Sequence, residues 1–146
     1  MRRVLVVLGC VVIGLLAGCA HHSSATSHTE KQLREKEARG AAEEWLALID
    51  AENYPAAYAL ASNRLRKGTT EPQFVRSMQG RRQPFGSVES RRFIGAAYTR
   101  KLTGAPDGHY ESILFRTSFA QKSLAAERVI LSQEKDGWRV VDYRVY

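Results

Sequence analysis

Cys19 is one of two cysteines in the chain, and its thiolate is the side chain best suited to covalent chemistry, as a nucleophile that can close a thioether. It follows the small residues Ala17 and Gly18, which fit a narrow peptidase groove, and an apolar stretch from Val4 to Ala17 behind Met1-Arg2-Arg3. Glu127 and Arg91 fall in separate extended segments and suit a cross-strand ion pair. As a general acid or base, Glu127 would need a dry pocket that raises its pKa. Asp142 with Tyr98 or Tyr143 would make an isomerase-like acid–tyrosine set. His109 follows a turn glycine and is expected at the surface. His21, His22 and His28 lie on a polar stretch without fixed geometry, so no metal site is expected there. The chain has no G-x-S-x-G, H-E-x-x-H or Walker pattern. No catalytic residue is assigned, and no cofactor is expected.

The N-terminus says where the domain works. A basic start, a short apolar core and small residues at its end make a secretory signal. Val4 to Ala17 is too short for a membrane span, which takes about 20 apolar residues. Leu16-Ala17-Gly18-Cys19 resembles the bacterial lipobox, the cleavage and lipidation signal of exported lipoproteins. The resemblance implies that residues 1–18 are removed, that Cys19 carries acyl chains, and that residues 19–27 tether residues 28–146 to the membrane. Cys10 would leave with the signal, so no disulfide is expected. Ala20 stands after the cysteine in place of the aspartate that resembles an inner-membrane retention signal. That implies the outer membrane, facing the periplasm.

The positioning elements follow from periodicity. Ala38, Ala41, Trp45, Leu48 and Ile49 recur at three and four residues and predict a helix opened by the capping box Ser27/Glu30. Tyr54-Pro55 opens a second helix carrying Tyr58, Ala61 and Leu65, broken at Lys67-Gly68. Thr70 and Gln73 open a third, with Phe74, Val75 and Met78 inward. After Gly86 the period falls to two. Four strands are expected, over Val88 to Leu102 with a bend at Gly95, Tyr110 to Phe119, Ala125 to Gln133, and Trp138 to Tyr146. Asp136-Gly137 is a hairpin signal. Three helices before four sequential strands predict an α+β domain, with the helices on one face of a curved four-stranded antiparallel sheet. The element order resembles the cone-shaped fold of nuclear transport factor and ketosteroid isomerase relatives. The local text (WLALIDAENY at 45–54, RQPFG at 82–86, Arg91, GAPDGHY at 104–110, FRTSF at 115–119, Glu127, GWRVVDY at 137–143) resembles the exported-protein family called domain of unknown function 4019. That resemblance implies no known reaction.

Charge is uneven. Residues 64–101 hold ten basic and two acidic side chains, and the net charge is +7. Arg64, Arg66, Lys67, Arg81 and Arg82 are the expected contact with an anionic surface, either lipid headgroups or an acidic envelope protein. Nucleic acid is not an expected partner, since no base-reading or stacking element is present. Trp45, Tyr98, Phe115 and Trp138 either fill the core or line a cavity for a small apolar ligand. Three functions therefore stay open: a non-enzymatic interaction module, a ligand carrier or sensor, and a small isomerase- or dehydratase-like enzyme.

Overall fold

Ala38, Ala42, Trp45, Leu46 and Ile49 are all buried, and their spacing puts them on one side of a helix. A computed structural model describes residues 23–146, and this first helix, α1, spans Ser23–Asp50. The stripe is rotated slightly from the expected one, with Ala42 and Leu46 inside and Ala41 and Leu48 half-buried. Two alanines in the stripe let the helix lie close to the sheet. The helix also begins earlier than the capping box suggested, so Ser23–Ser27 are helical. Residues 23–37 hold no proline or glycine, so nothing stops a helix fixed by packing downstream from propagating backward. Residues 26–33 are exposed.

Among the described residues, four α-helices stand where three were expected. α2 is Tyr54–Ala59, α3 is Asn63–Gly68 and α4 is Glu71–Arg82. The predicted second helix is split because the chain between α2 and α3 leaves the helix to pair with the sheet. Ala61 forms a parallel bridge with Val140. The Ser62 amide donates to the Val140 carbonyl (2.8 Å), and the Val140 amide to the Leu60 carbonyl (3.3 Å). Ser62 then restarts the helix, its hydroxyl accepting from the Leu65 amide at 3.2 Å. The Thr70/Gln73 box forms as expected, with the Thr70 amide donating to Gln73 Oε1 at 2.9 Å. A 3-10 turn at Gln83–Phe85 follows α4.

The strands are β1 Val88–Thr99, β2 Tyr110–Phe119, β3 Lys122–Glu134 and β4 Gly137–Val145. They form one antiparallel sheet in the order β1-β2-β3-β4. α1 contacts all four strands, so the domain is α+β with its helices on one sheet face. β1 carries a bulge between Phe93 and Gly95, where a bend was expected, and ends at Thr99, short of Leu102. Trp45 sits at the centre of the core. Its Nε1 donates to the Ala57 carbonyl at 3.0 Å. Its ring stands edge-on to Tyr143 at 5.2 Å and to Phe74 at 6.5 Å.

Lys135 and Asp136 link β3 to β4, and Gly137 opens β4 with φ 107°. An L side chain resists that angle, although no neighbour would clash with it. Gly137→Val is therefore expected to destabilise the domain by about 1–2 kcal/mol through the backbone alone. Urea unfolding checks this, and an unchanged midpoint would show that the turn tolerates another geometry.

Candidate functional site

Glu127 is fully buried, and an unpaired carboxylate there would be prohibitively costly. Six elements each send one side chain to the network that holds it: α1 gives Asp50, α4 Arg82, β1 Arg91, β2 Thr117, β3 Glu127 and β4 Tyr143. Arg91 Nε donates to Glu127 Oε2 at 2.6 Å and Nη2 to Oε1 at 3.2 Å. The same guanidinium donates to both oxygens of Asp50, at 2.6 and 3.1 Å. Arg82 Nη2 reaches Asp50 at 2.9 Å and its Nη1 the Gly86 carbonyl at 3.1 Å. The Thr117 hydroxyl and the Tyr143 hydroxyl each donate to Glu127 at 2.5 Å. Each carboxylate oxygen of Glu127 thus accepts two hydrogen bonds, which fills its capacity. Two carboxylates face two guanidiniums, so the network is neutral.

Local structure explains each position. Asp50 is the last residue of α1, an unfavourable place for an anion in the field of the helix, and two arginines offset it. Arg82 ends α4, and its guanidinium lies 4.4 Å from the Phe119 ring centre. Gly86, with φ 73° and ψ −160°, turns the chain so that its carbonyl meets Arg82. Few residues but glycine adopt that angle, and a Cβ there would come within 3.3 Å of Ala120.

Electrostatics lock the protons in place. Burial, then the charge and hydrogen bond of Glu127, push the Tyr143 phenol far above its ordinary value of 10.0. Burial works against the Arg91 cation, but the hydrogen bonds to Asp50 and Glu127 outweigh it and strengthen its hold on the proton. The arrangement has a saturated carboxylate, a pinned phenol and two permanent cations. Glu127 keeps no free lone pair to take a proton, and the Tyr143 proton is held against it. The network's chemistry is to join helices to sheet.

The Glu127–Arg91 pair is the one expected from sequence, formed across the intervening strand. The acid–tyrosine set does not assemble: Asp142 pairs with Arg144 at 2.9 Å, Tyr98 OH meets His109 Nδ1 at 2.7 Å, and Tyr143 turns to Glu127. His109 is exposed. Of the aromatic residues, Trp45, Phe115 and Trp138 belong to the core cluster. Tyr98 does not; it lies beneath the Arg34 guanidinium at 4.0 Å at the rim. An open cleft of about 480 Å³ separates α1 from β1 and β2, with Arg91 and Phe115 in its lining and the Arg39–Glu43 pair (2.8 Å) on its α1 side.

The five basic residues do not form one surface. Arg82 is buried and committed to Asp50, which removes it from any surface contact. Arg81 is exposed and sits beside it, donating to the Tyr143 carbonyl at 3.4 Å. Arg64, Arg66 and Lys67 are exposed on α3 at the opposite end, where Arg64 donates to the Gly104 carbonyl. Arg34 and Asp50 mark the two ends on α1, about 24 Å apart at the helical rise. Cys19, His21 and His22 lie outside the described residues. Among the described residues, no three His, Cys, Asp or Glu side chains gather as metal ligands, and no helix is long and apolar enough to cross a membrane.

A family model described as "Protein of unknown function (DUF4019)" matches residues 41–143. The chain belongs to that family. The span shared with DUF4019 contains Asp50, Arg82, Arg91, Thr117, Glu127 and Tyr143, the whole network, and leaves out the exposed first part of α1. No curated protein and no solved structure matches the chain. Sequence reasoning missed Asp50, Arg82 and Thr117 as partners. Alternation did place Thr117 on the buried face of β2 with Ile113, Phe115 and Phe119, and a buried threonine needs an acceptor. The other two carried no such signal.

Two predictions follow from the network. Arg91→Met leaves Glu127 buried without its cation and is expected to cost about 3–5 kcal/mol in denaturant unfolding, whereas Arg91→Met with Glu127→Leu regains much of that loss. The second concerns pH. A phenol whose pKa is raised by folding adds stability below its unfolded value and loses it as pH rises past that value, here from about pH 10 upward. Tyr143→Phe is expected to flatten this alkaline loss in a series of melting curves; an unchanged slope would show that other groups cause it.

Proposed function

We propose that this DUF4019 protein is a lipid-anchored lipoprotein of the outer membrane, facing the periplasm, whose domain works as a non-enzymatic interaction module. The observation that carries the reading is the saturated Glu127 network. Glu127, fully buried, is committed to joining six elements, so the domain's outward groups are its means of action. The lipobox-like Leu16–Cys19 supplies the anchor. Each buried CH2 of an acyl chain contributes roughly 0.8 kcal/mol, so more than one chain makes a durable attachment.

The start of α1 and the basic residues of α3 support a contact at one end of the domain. α1 runs from Ser23, four residues after Cys19, and rises about 16 Å before Arg34 reaches the domain. Arg34 donates to Glu111 at 3.0 Å, next to Tyr98 and His109. The 100–109 loop, with exposed Arg100 and Lys101, lies at this same end, and so does Arg64 through Gly104. Arg64, Arg66 and Lys67 then form the face nearest the bilayer and contact anionic headgroups, each basic residue adding about 1 kcal/mol near the surface. Arg81, at the far end, takes no part in this contact.

Cys19→Ser is expected to abolish incorporation of labelled fatty acid and to release the protein from membranes; label in that variant would refute the anchor. In the same soluble variant, changing Arg64, Arg66 and Lys67 to Gln is expected to weaken salt-sensitive binding to phosphatidylglycerol vesicles. Equal binding with and without the three changes would remove α3 from the contact.

A further inference from the structure

The sheet face that carries no helix among the described residues holds a row of arginines across all four strands. Arg92 stands directly opposite Arg116 in the β1–β2 register. Arg128 stands directly opposite Arg144 in the β3–β4 register. Between them, Arg116 faces Ala126 and Leu114 faces Arg128, so Arg116 and Arg128 are diagonal neighbours. Directly opposed Cβ atoms lie about 5 Å apart and diagonal ones about 7 Å, so the row is continuous. Arg92, Arg116 and Arg144 are exposed and Arg128 is half-buried.

The row is poorly neutralised within the domain. Asp142 holds Arg144, but among the described residues no carboxylate pairs with Arg92, Arg116 or Arg128. Arg128 Nε is buried with no hydrogen-bond partner, and its guanidinium lies over the Tyr146 ring at 5.6 Å. Like charges directly opposite one another destabilise a sheet, and here two such pairs stand side by side. Anions brought to this face would remove that repulsion.

We infer that the open sheet face docks an acidic polypeptide segment whose carboxylates bridge the Arg92–Arg116–Arg128–Arg144 row. Three features select a protein over a headgroup layer. All four cations are arginines, whose planar forks take carboxylates bidentately, whereas attraction to a bilayer needs only charge. The backbone beneath holds them in fixed register. Leu114, half-buried on the same face, gives an apolar step beside the row, which a partner bearing both acidic and apolar side chains would cover. The inference rests on the interaction-module reading and names its partner by chemistry; the α3 contact with lipid is a separate surface.

The full-length protein, purified in detergent, is titrated against a fluorescent peptide of alternating glutamate and leucine. Binding that fades with salt is expected, and Arg116→Gln with Arg128→Gln should weaken it by about tenfold or more. The Arg64, Arg66, Lys67 to Gln variant should bind the peptide as the parent does. The melting temperature of the Arg116/Arg128 variant should stay level or rise, since a like-charge contact is relieved, and this shows that lost binding is not lost folding. Equal affinity for an alternating lysine–leucine peptide, or acidic-peptide binding untouched by the two changes, would overturn the inference. So would an absence of peptide binding joined to phosphatidylglycerol-vesicle binding that the two changes abolish, which would assign the row to headgroups. Failure here with fatty-acid labelling of Cys19 intact would leave the lipoprotein reading standing.

Discussion

The Arg91 guanidinium, shared between Glu127 and Asp50, is the contact on which the rest of the domain depends. A carboxylate with no exposed surface exists as an anion only if donors surround it. Those donors come from β1, β2 and β4, while Asp50 ties the same cation to α1 and Arg82 ties Asp50 to α4. No pair of elements can complete the network alone. Its formation therefore coincides with docking of the helices on a fully paired sheet, which is the condition for cooperative folding.

The apolar core and the ionic network meet at Tyr143. Its ring packs against Trp45 and its hydroxyl closes on Glu127. Trp45 in turn fixes α2 through the Ala57 carbonyl, so one tyrosine links the hydrophobic layer to the charged one. Dispersion and area burial give this core its magnitude, but they are tolerant of small shifts. Hydrogen bonds to a buried charge are not tolerant, because a displacement leaves part of the charge unpaired. The network thus adds definition to a core that apolar packing alone would leave looser.

The strands were legible in the sequence, and the helix boundaries less so, for a physical reason. Alternation is imposed by one buried face, so Tyr110 to Phe119 announces itself by composition. The split between α2 and α3 comes from Ala61 pairing with Val140, a contact 79 positions away that no local pattern encodes. The start of α1 was masked by serines and histidines that favour caps and loops in isolation. Arg82 misled more seriously. It sits in a basic run and follows Arg81 at a helix end, where exposed cations are ordinary. Only the return of Asp50 from the end of α1 shows that one of these two arginines belongs inside.

The two sheet faces are written by the same residue pairs. Arg91 points to the network and Arg92 to the row; Thr117 and Arg116 divide in the same way, as do Glu127 and Arg128, and Tyr143 and Arg144. Side chains alternate along a strand, so fixing one member of each pair fixes the other. A one-residue slip of β3 would put Arg128 where Glu127 meets Arg91, setting cation against cation in a dry interior, and would move Glu127 into the row. Such a slip exchanges a neutral buried cluster for a repulsive one, so charge selects the register more sharply than the apolar pattern could. The arginine row is therefore held in place from behind, and any partner it meets is met by a surface already assembled.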